Sequence, residues 1–191
     1  MAREKRRDQL MRAANTILIR EGAKGLTMER LAEAASISKP VVYSHFGNRS
    51  ELLVALFEQY WATMDRKIPQ EPDNGESFEE YTKRSTGMYF SLVLSNDTPL
   101  REMMHKITED PLVDEKLQQR EKAVVDRSAD LITKFYDIDR EDAEYIGYIY
   151  RASLEAAASY LIKHPEKEAF VRSMQMEMAI SLLQGIQNKP S

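Results

Sequence analysis

The segment from Ser38 to Phe46, SKPVVYSHF, combines residue types that could bind a nucleic acid. At helical spacing Val42 and Phe46 share one face, which predicts that this face packs inward. The outward face and the flanks then carry Ser38, Lys39, Val41, Tyr43 and His45. A short helix with such side chains fits the major groove and presents them to base edges and phosphates. The pattern therefore predicts a recognition helix.

No part of the sequence indicates catalysis. The chain has no Cys, which excludes disulfides, thiolate metal sites and cysteine nucleophiles. The three His residues form no HExxH or clustered His/carboxylate pattern, and there is no Gly-rich phosphate loop or Ser/His/Asp constellation. The sequence therefore predicts a binding protein that uses no metal or other cofactor, and not an enzyme.

Three predicted helices position the recognition segment. Apolar periodicity predicts an amphipathic helix over residues 8–21, which Gly22 ends. Thr27 is the expected N-cap of a second helix, and a tight turn at residues 35–37 follows it. Ser38 is the expected N-cap of the third helix. Two helices joined by a tight turn are the helix-turn-helix arrangement.

The rest of the chain is also predicted to be helical. Capping residues or prolines mark the starts of further helices at Asn48, Ser77, Thr98, Asp110, Asp139 and Pro165. With no credible strand, the predicted fold is all-α with about nine helices. No apolar stretch of about 20 residues occurs, and the N-terminus lacks the apolar core of a secretory signal. We therefore expect no membrane span and a cytoplasmic location.

The charge is distributed unevenly along the chain. The net charge of the 191 residues is -4, which alone argues against nucleic-acid binding. Residues 1–50, however, hold ten basic and five acidic residues, for a net charge of +5, and the remainder carries 17 basic and 26 acidic residues, for -9. A basic head on an acidic body is typical of a DNA-binding module joined to another domain, although chance surface charge would give the same difference.

The run from Thr27 to Leu52, TMERLAEAASISKPVVYSHFGNRSEL, resembles the DNA-binding signature of the TetR family of bacterial regulators. The likeness covers about residues 8–55 and includes the Thr cap, the Leu-Ala pair, the turn and the Tyr-x-x-Phe motif. There are three departures: Ser36 replaces the usual turn glycine, Pro40 occupies a small-residue position and Arg49 replaces a lysine. If the Ser36 position needs a positive φ, serine is mildly strained there.

The resemblance implies a TetR-like architecture. A helix-turn-helix domain would span residues 1–50, with a basic N-terminal arm at 1–7, and a helical ligand-binding and dimerisation domain would span 51–191. The expected function is that of a ligand-responsive repressor that binds a palindromic operator as a homodimer. The alternatives are an activator of the same fold, and a helical adaptor or scaffold that has lost DNA binding.

The resemblance also implies the residues that contact DNA: Thr27, Ser38, Lys39, Pro40, Val41, Tyr43, His45 and Arg49. Lys39 is the candidate for guanine O6 and N7, and Pro40 and Val41 for a thymine methyl. Tyr43 and His45 would reach phosphates or base edges, and the remaining three would hold phosphates. The alternatives are a solvated Lys39, a Tyr43 that is mostly core, an exposed helical His45 and a disordered arm.

The second half is expected to sense a small molecule and to dimerise. Candidate pocket residues, apolar or aromatic with few polar groups, are Trp61, Met64, Tyr89, Phe90, Met103, Met104, His105, Tyr145, Tyr148 and Arg151. The last two helices would pair with those of a second copy in a four-helix bundle, through Ala156, Tyr160, Phe170, Met174, Met178 and Leu182. The alternative for both sets is plain intramolecular core. The expected partners are operator DNA, a second copy and an unidentified effector.

Overall fold

The computed structural model describes residues 2–95 and 110–187, and within them it contains only helices and loops. The eight α-helices are α1 (Ala2–Gly25), α2 (Met28–Ala35), α3 (Lys39–His45), α4 (Arg49–Lys67), α5 (Phe78–Leu94), α6 (Pro111–Phe135), α7 (Arg140–Lys163) and α8 (Glu168–Gln187). A short 3-10 helix, Pro165–Lys167, precedes α8. The all-α prediction is confirmed. The helix predicted at Thr98 lies outside the described residues.

Most helices begin at the capping residues that the sequence predicts. The Thr27 hydroxyl oxygen accepts from the Arg30 backbone N–H at 3.0 Å. Ser77 and Glu80 form a complete capping box at the start of α5. Ser38 is an exception: it occupies the N-cap position of α3, but its side chain makes no capping hydrogen bond, so the predicted cap is wrong in that respect. Pro40 in the first turn needs no such bond, because it has no N–H to satisfy.

The first helix is longer than the sequence predicts. It begins at Ala2, so the predicted basic arm, residues 1–7, is helical from residue 2, and its contact with DNA remains a prediction. The apolar periodicity begins only at Leu10, because the first turns are exposed on all sides. Gly22 interrupts the helix as expected, with φ 72° and ψ -176°, a conformation available almost only to glycine.

The described residues form two compact units, one of residues 2–63 and 110–118 and the other of 64–95 and 119–187. The predicted division after residue 50 concerns function and remains a prediction. Four helices and the start of α6 supply the buried core of the first unit, which includes Leu10, Ala14, Ile17, Leu31, Val42, Phe46, Leu52, Leu56, Phe57 and Val113. The inner face of α3 is thus fixed to its neighbours by apolar burial, the main stabilising term in folding.

The second unit contains two buried clusters. One joins α5, α7 and α8 through Phe90, Val93, Ala158, Leu161 and Val171. The other packs Ala129, Ile132 and Ala143 against partly buried neighbours that include Phe78 and Tyr136. Polar pairs cross the same unit: Arg120 with Asp65, Arg151 with Glu121 and Glu155, and Thr86 with Tyr150. No described helix has the length and apolar character that a bilayer crossing requires.

Candidate nucleic-acid interface

The recognition segment forms a short helix with one buried and one exposed face. Val42 is fully buried and Phe46 is 2% exposed, so these side chains attach α3 to the core. Four of the predicted DNA contacts on this helix are exposed: Lys39, Pro40, Val41 and Tyr43. Tyr43 is 45% exposed, which excludes the alternative that this residue is mostly core. The sequence-predicted outer face of α3 is therefore a continuous solvent-facing surface.

A tight turn sets α3 relative to α2. Ser36 is in the left-handed conformation, at φ 53° and ψ 45°. Its backbone N–H donates to the Glu33 carbonyl at 3.0 Å, and the N–H of Ile37 donates to the Ala32 carbonyl at 3.0 Å. These bonds satisfy the last carbonyls of α2. The sequence-based expectation of a strained serine at this turn is confirmed, because only glycine takes this conformation without cost.

Lys39, the predicted guanine reader, has a partner in the free protein. Its ammonium lies 3.4 Å from a carboxylate oxygen of Glu29 on α2. Both side chains are about half exposed, so solvent screens the pair and the constraint is weak. The predicted contact of Lys39 with a base edge would replace this carboxylate, so Glu29 is a neighbour of the candidate reader that the sequence did not indicate.

Arg49 has a structural role that sequence reasoning missed. Its Nε donates to the Leu26 carbonyl at 2.8 Å, and one terminal nitrogen donates to the Ala23 carbonyl at 2.7 Å. These bonds fasten the first turn of α4 to the chain that leaves α1. The predicted phosphate contact of Arg49 remains a prediction, and any such contact would use the N–H groups that these two carbonyls leave over.

Thr27 and Ser38 differ in how much of their hydrogen-bonding capacity is in use. The Thr27 side chain accepts the capping bond from Arg30 and is exposed. Ser38 is exposed and its hydroxyl makes no capping bond. Both lie at the starts of the two helices that form the motif, so both remain candidates for phosphate contacts.

Basic side chains of α1 reach the C-terminal end of α3. Arg3 donates to the Ser44 carbonyl at 3.4 Å, and Arg7 donates to the His45 carbonyl at 3.0 Å. The Arg7 guanidinium also lies over the Phe46 ring, 4.4 Å from its centroid. We refer to Arg3, Arg6, Arg7 and His45 as the α1–α3 basic cluster. The basic run was visible in the sequence, but its position beside α3 depends on tertiary packing.

The predicted pocket residues do not share one environment. Met64 and Phe90 are buried, Trp61 and Tyr89 are half-buried, and Met103, Met104 and His105 lie outside the described residues. Tyr145 and Tyr148 are 67% and 49% exposed, which does not fit an enclosed pocket within one chain. Arg151 is largely buried between Glu121 and Glu155.

The second unit also has a surface cleft away from these residues. Its volume is about 460 Å³, and it lies between the loop at 71–77 and the end of α6. None of the predicted pocket residues lines it. The pocket therefore remains a prediction.

The predicted dimer residues form a largely accessible set on α7 and α8. Ala156, Tyr160, Phe170 and Met174 are exposed, and Met178 and Leu182 are half-buried. Phe170 is 64% exposed, an unusual state for a side chain of this size. In the chain by itself the four exposed residues are therefore not plain intramolecular core, and the dimer interface remains a prediction.

Comparisons with known proteins agree with this geometry. Residues 10–56 match the model of the family described as bacterial regulatory proteins, tetR family. Relatives include the HTH-type transcriptional activator FasR of Mycolicibacterium smegmatis, 23% identical over 164 residues that cover 84% of this chain and 74% of FasR. The tetracycline repressor protein class A of Escherichia coli is 37% identical over 70 residues, 36% of this chain and 32% of the repressor.

The fold is shared with solved structures. A putative tetR family transcription regulator from Shewanella sp. PV-4 aligns with a TM-score of 0.73 at 16% identity, over 91% of this chain and 95% of that one. The match spans both compact units, whereas the family model covers the helix-turn-helix region alone. The exposed α3 thus lies in a region, residues 10–56, that has the signature of the TetR family of bacterial regulatory proteins, and the fold of both compact units is similar to that of a structure described as a tetR family regulator.

Proposed function

We propose that this regulator represses transcription by binding a palindromic operator as a homodimer, and that a small molecule releases it. The observation that carries the proposal is the exposed outer face of α3, whose inner face is fully anchored. Lys39 reads guanine, while Pro40 and Val41 contact a thymine methyl. Tyr43 and His45 reach phosphates or base edges, and three residues at helix starts hold phosphates: Thr27, Ser38 and Arg49.

Dimerisation is supported by the accessible apolar side chains of α7 and α8. Tyr160, Phe170 and Met174 of one chain would be covered by the same residues of its partner, in a four-helix bundle with two-fold symmetry. Two recognition helices would then lie about 34–36 Å apart, or a multiple of that distance, and would read the two halves of a palindrome.

Effector control is proposed as a two-state equilibrium. One arrangement of the dimer holds the recognition helices at operator spacing, and the effector binds a second arrangement better. The change in the free energy between the two arrangements cannot exceed the difference in the effector's binding free energy for them. Such coupling free energies are commonly about 1–3 kcal/mol. Because only three residues separate α4 from α3, and α4 runs from the first compact unit into the second, it is the element that we expect to transmit the change.

Activation is the second candidate function. FasR, the relative whose match covers most of this chain among those described above, is named as a transcriptional activator, whereas the tetracycline repressor is named as a repressor. The two outcomes use the same DNA-binding face and differ in where the operator lies relative to a promoter. Repression is the simpler proposal, because a bound dimer blocks polymerase without further contacts.

The decisive experiment is selection of bound duplexes from a random DNA pool, combined with the mass of the complex in solution. The proposal expects a palindromic consensus and two protomers for each site. Transcription in vitro from a promoter that contains this consensus then separates repression from activation. Absence of any preferred duplex in dilute salt would instead favour a helical adaptor that has lost DNA binding.

A further inference from the structure

The α1–α3 basic cluster concentrates positive charge at the C-terminal end of the recognition helix. Arg3 and Arg7 each donate to a backbone carbonyl there, at Ser44 and His45 respectively. Each guanidinium has five N–H donors, so these bonds leave donors that can face a ligand. His45 is half-buried, and the charges of Arg3, Arg6 and Arg7 act on its imidazole. The arrangement is typical of an anion-binding site, because several cations share a small volume.

Within α3 itself no acidic residue offsets this charge near His45. The sequence of α3 is KPVVYSH, without an acid. Glu51, in the first turn of α4, accepts from the Gly47 backbone N–H at 2.9 Å and from the Asn48 side chain at 3.3 Å. On α1, Glu4 and Asp8 stand on the same exposed turns as the arginines. The strongest charges that act on His45 all come from α1 and all are positive: Arg3, Arg7 and Arg6.

This environment favours the neutral imidazole in the free protein. Burial is the largest cause that lowers the pKa of His45 from its ordinary value of 6.5, and the three arginines lower it further. A duplex phosphate at the cluster would reverse the part of this pKa shift that the arginines cause, because its negative charge offsets theirs and attracts an imidazolium.

We propose that Arg3, Arg7 and His45 form a site for a backbone phosphate, and that each protomer takes up a proton at His45 when duplex DNA occupies that site. The inference rests on the proposed operator binding and adds to it a dependence on pH. In the neutral form one ring nitrogen of His45 donates, whereas in the protonated form both do. The proton thus converts the imidazole into a cation that binds phosphate by a charge-assisted hydrogen bond.

Proton uptake on binding determines the direction in which pH changes the affinity for DNA. The pKa of His45 is lower in the free protein than in the complex, so affinity for DNA rises as pH falls through the interval between the two values. With one proton for each protomer, affinity per protomer rises at most about tenfold for each pH unit. Above this interval the imidazole is neutral in both states and the dependence disappears.

The test measures affinity for the selected operator duplex between pH 5.5 and 8 at constant salt, together with proton uptake by calorimetry in two buffers of different ionisation enthalpy. The wild-type protein is expected to bind more tightly as pH falls and to take up protons. His45→Gln is expected to lose this pH dependence and to bind less tightly at low pH. His164→Gln, which replaces an exposed histidine of the second unit, is the matched control and should keep the wild-type profile.

Titration of the His45 ring protons by NMR, free and on the duplex, tests the inference without a variant. A higher pKa in the complex supports it, whereas an equal or lower pKa overturns it. An unchanged pH profile in folded His45→Gln would also overturn it, although operator binding itself would then stand. Failure to bind any duplex at any pH would overturn the proposed function and this inference with it.

Discussion

The Ser50 hydroxyl donates to the Asp110 carboxylate at 2.5 Å and so connects the first turn of α4 to the start of α6. The other carboxylate oxygen of Asp110 accepts from the backbone N–H groups of Leu112 and Val113, at 3.1 and 3.3 Å. One side chain thus caps α6 and holds α4. Because α4 follows the recognition helix directly, this contact lies where movement of α6 would reach the DNA-binding face.

Asp110→Ala should therefore cost more stability than an ordinary cap. We expect a loss of about 1 kcal/mol for the cap and about 1–2 kcal/mol more for the charged hydrogen bond to Ser50. Asp139→Ala is the matched control, since Asp139 caps α7 through its bond from the Asp142 N–H at 2.9 Å. Urea unfolding of both variants gives the comparison, and equal losses would remove the special role of Asp110.

Replacing the strained turn residue should stabilise the protein. Ser36→Gly relieves the left-handed strain at φ 53° but adds freedom to the unfolded chain, so we expect a net gain of up to about 1 kcal/mol. Ser38→Gly is the control: Ser38 is extended, at φ -75°, so glycine there brings only the entropic loss. In thermal unfolding, the melting temperature of Ser36→Gly should rise and that of Ser38→Gly should fall relative to the wild-type protein.

Substitution of the ion pair between α2 and α3 should separate sequence reading from general affinity. Lys39→Ala should relax the preference at one operator position by about 1–3 kcal/mol if Lys39 reads guanine. Glu29→Gln frees the lysine from its carboxylate partner and should tighten binding without changing the consensus. Affinities for single-base operator variants provide the measurement. Equal weakening of all duplexes by Lys39→Ala would assign this side chain to phosphate instead.

Acid should loosen the loop before α5 through Glu76. Two hydrogen bonds from Arg84, at 2.7 and 2.5 Å, are the main cause that lowers the pKa of Glu76 to about 2. The folded pKa lies below the ordinary value of 4.5, so this stabilisation is complete above pH 4.5 and is lost as pH falls towards 2. Glu76→Gln should lose stability at pH 7 and show a weaker acid dependence. Urea unfolding at pH 7 and pH 3 tests this, with Arg84→Met as the reciprocal variant.

A charge on α8 should dissociate the proposed dimer. Phe170→Glu places a carboxylate in the apolar interface that Phe170 would otherwise fill, so we expect dimer dissociation constants to rise at least about tenfold. Ile19→Glu is the control, because Ile19 is 62% exposed on α1 and is not one of the proposed interface residues. Sedimentation equilibrium distinguishes the two variants, and an unaffected dimer in Phe170→Glu would place the interface elsewhere.

Local features of the fold could be read from the sequence, whereas long-range partners could not. Thr27 and Ser77 cap helices because their acceptors and donors lie three residues apart, a spacing that is visible in the chain. Arg49 instead binds carbonyls 23 and 26 residues away, and Arg7 reaches a carbonyl 38 residues away. Such partners depend on which helices pack together, and apolar periodicity shows which face of a helix is buried but not which helix covers it.

The same limit applies to the predicted pocket in the second half of the chain. Tyr145 and Tyr148 have the residue type of a pocket lining, but type alone does not say which face of α7 meets a neighbour. The outer face of α3 was easier to predict, because Val42 and Phe46 define its inner face within five residues and a family signature covers the same segment.

The seven residues of α3 are too few to hold a helix on their own in water, where helices shorter than about 12–15 residues are marginal. Here Val42 and Phe46 anchor one side, Pro40 presets the first turn, and Arg7 holds the final carbonyl. The reading surface is consequently rigid before it meets a duplex. Because α3 does not have to fold on binding, its folding should add little to the heat-capacity change of complex formation. Association with the duplex should also be rapid and occur in a single kinetic step.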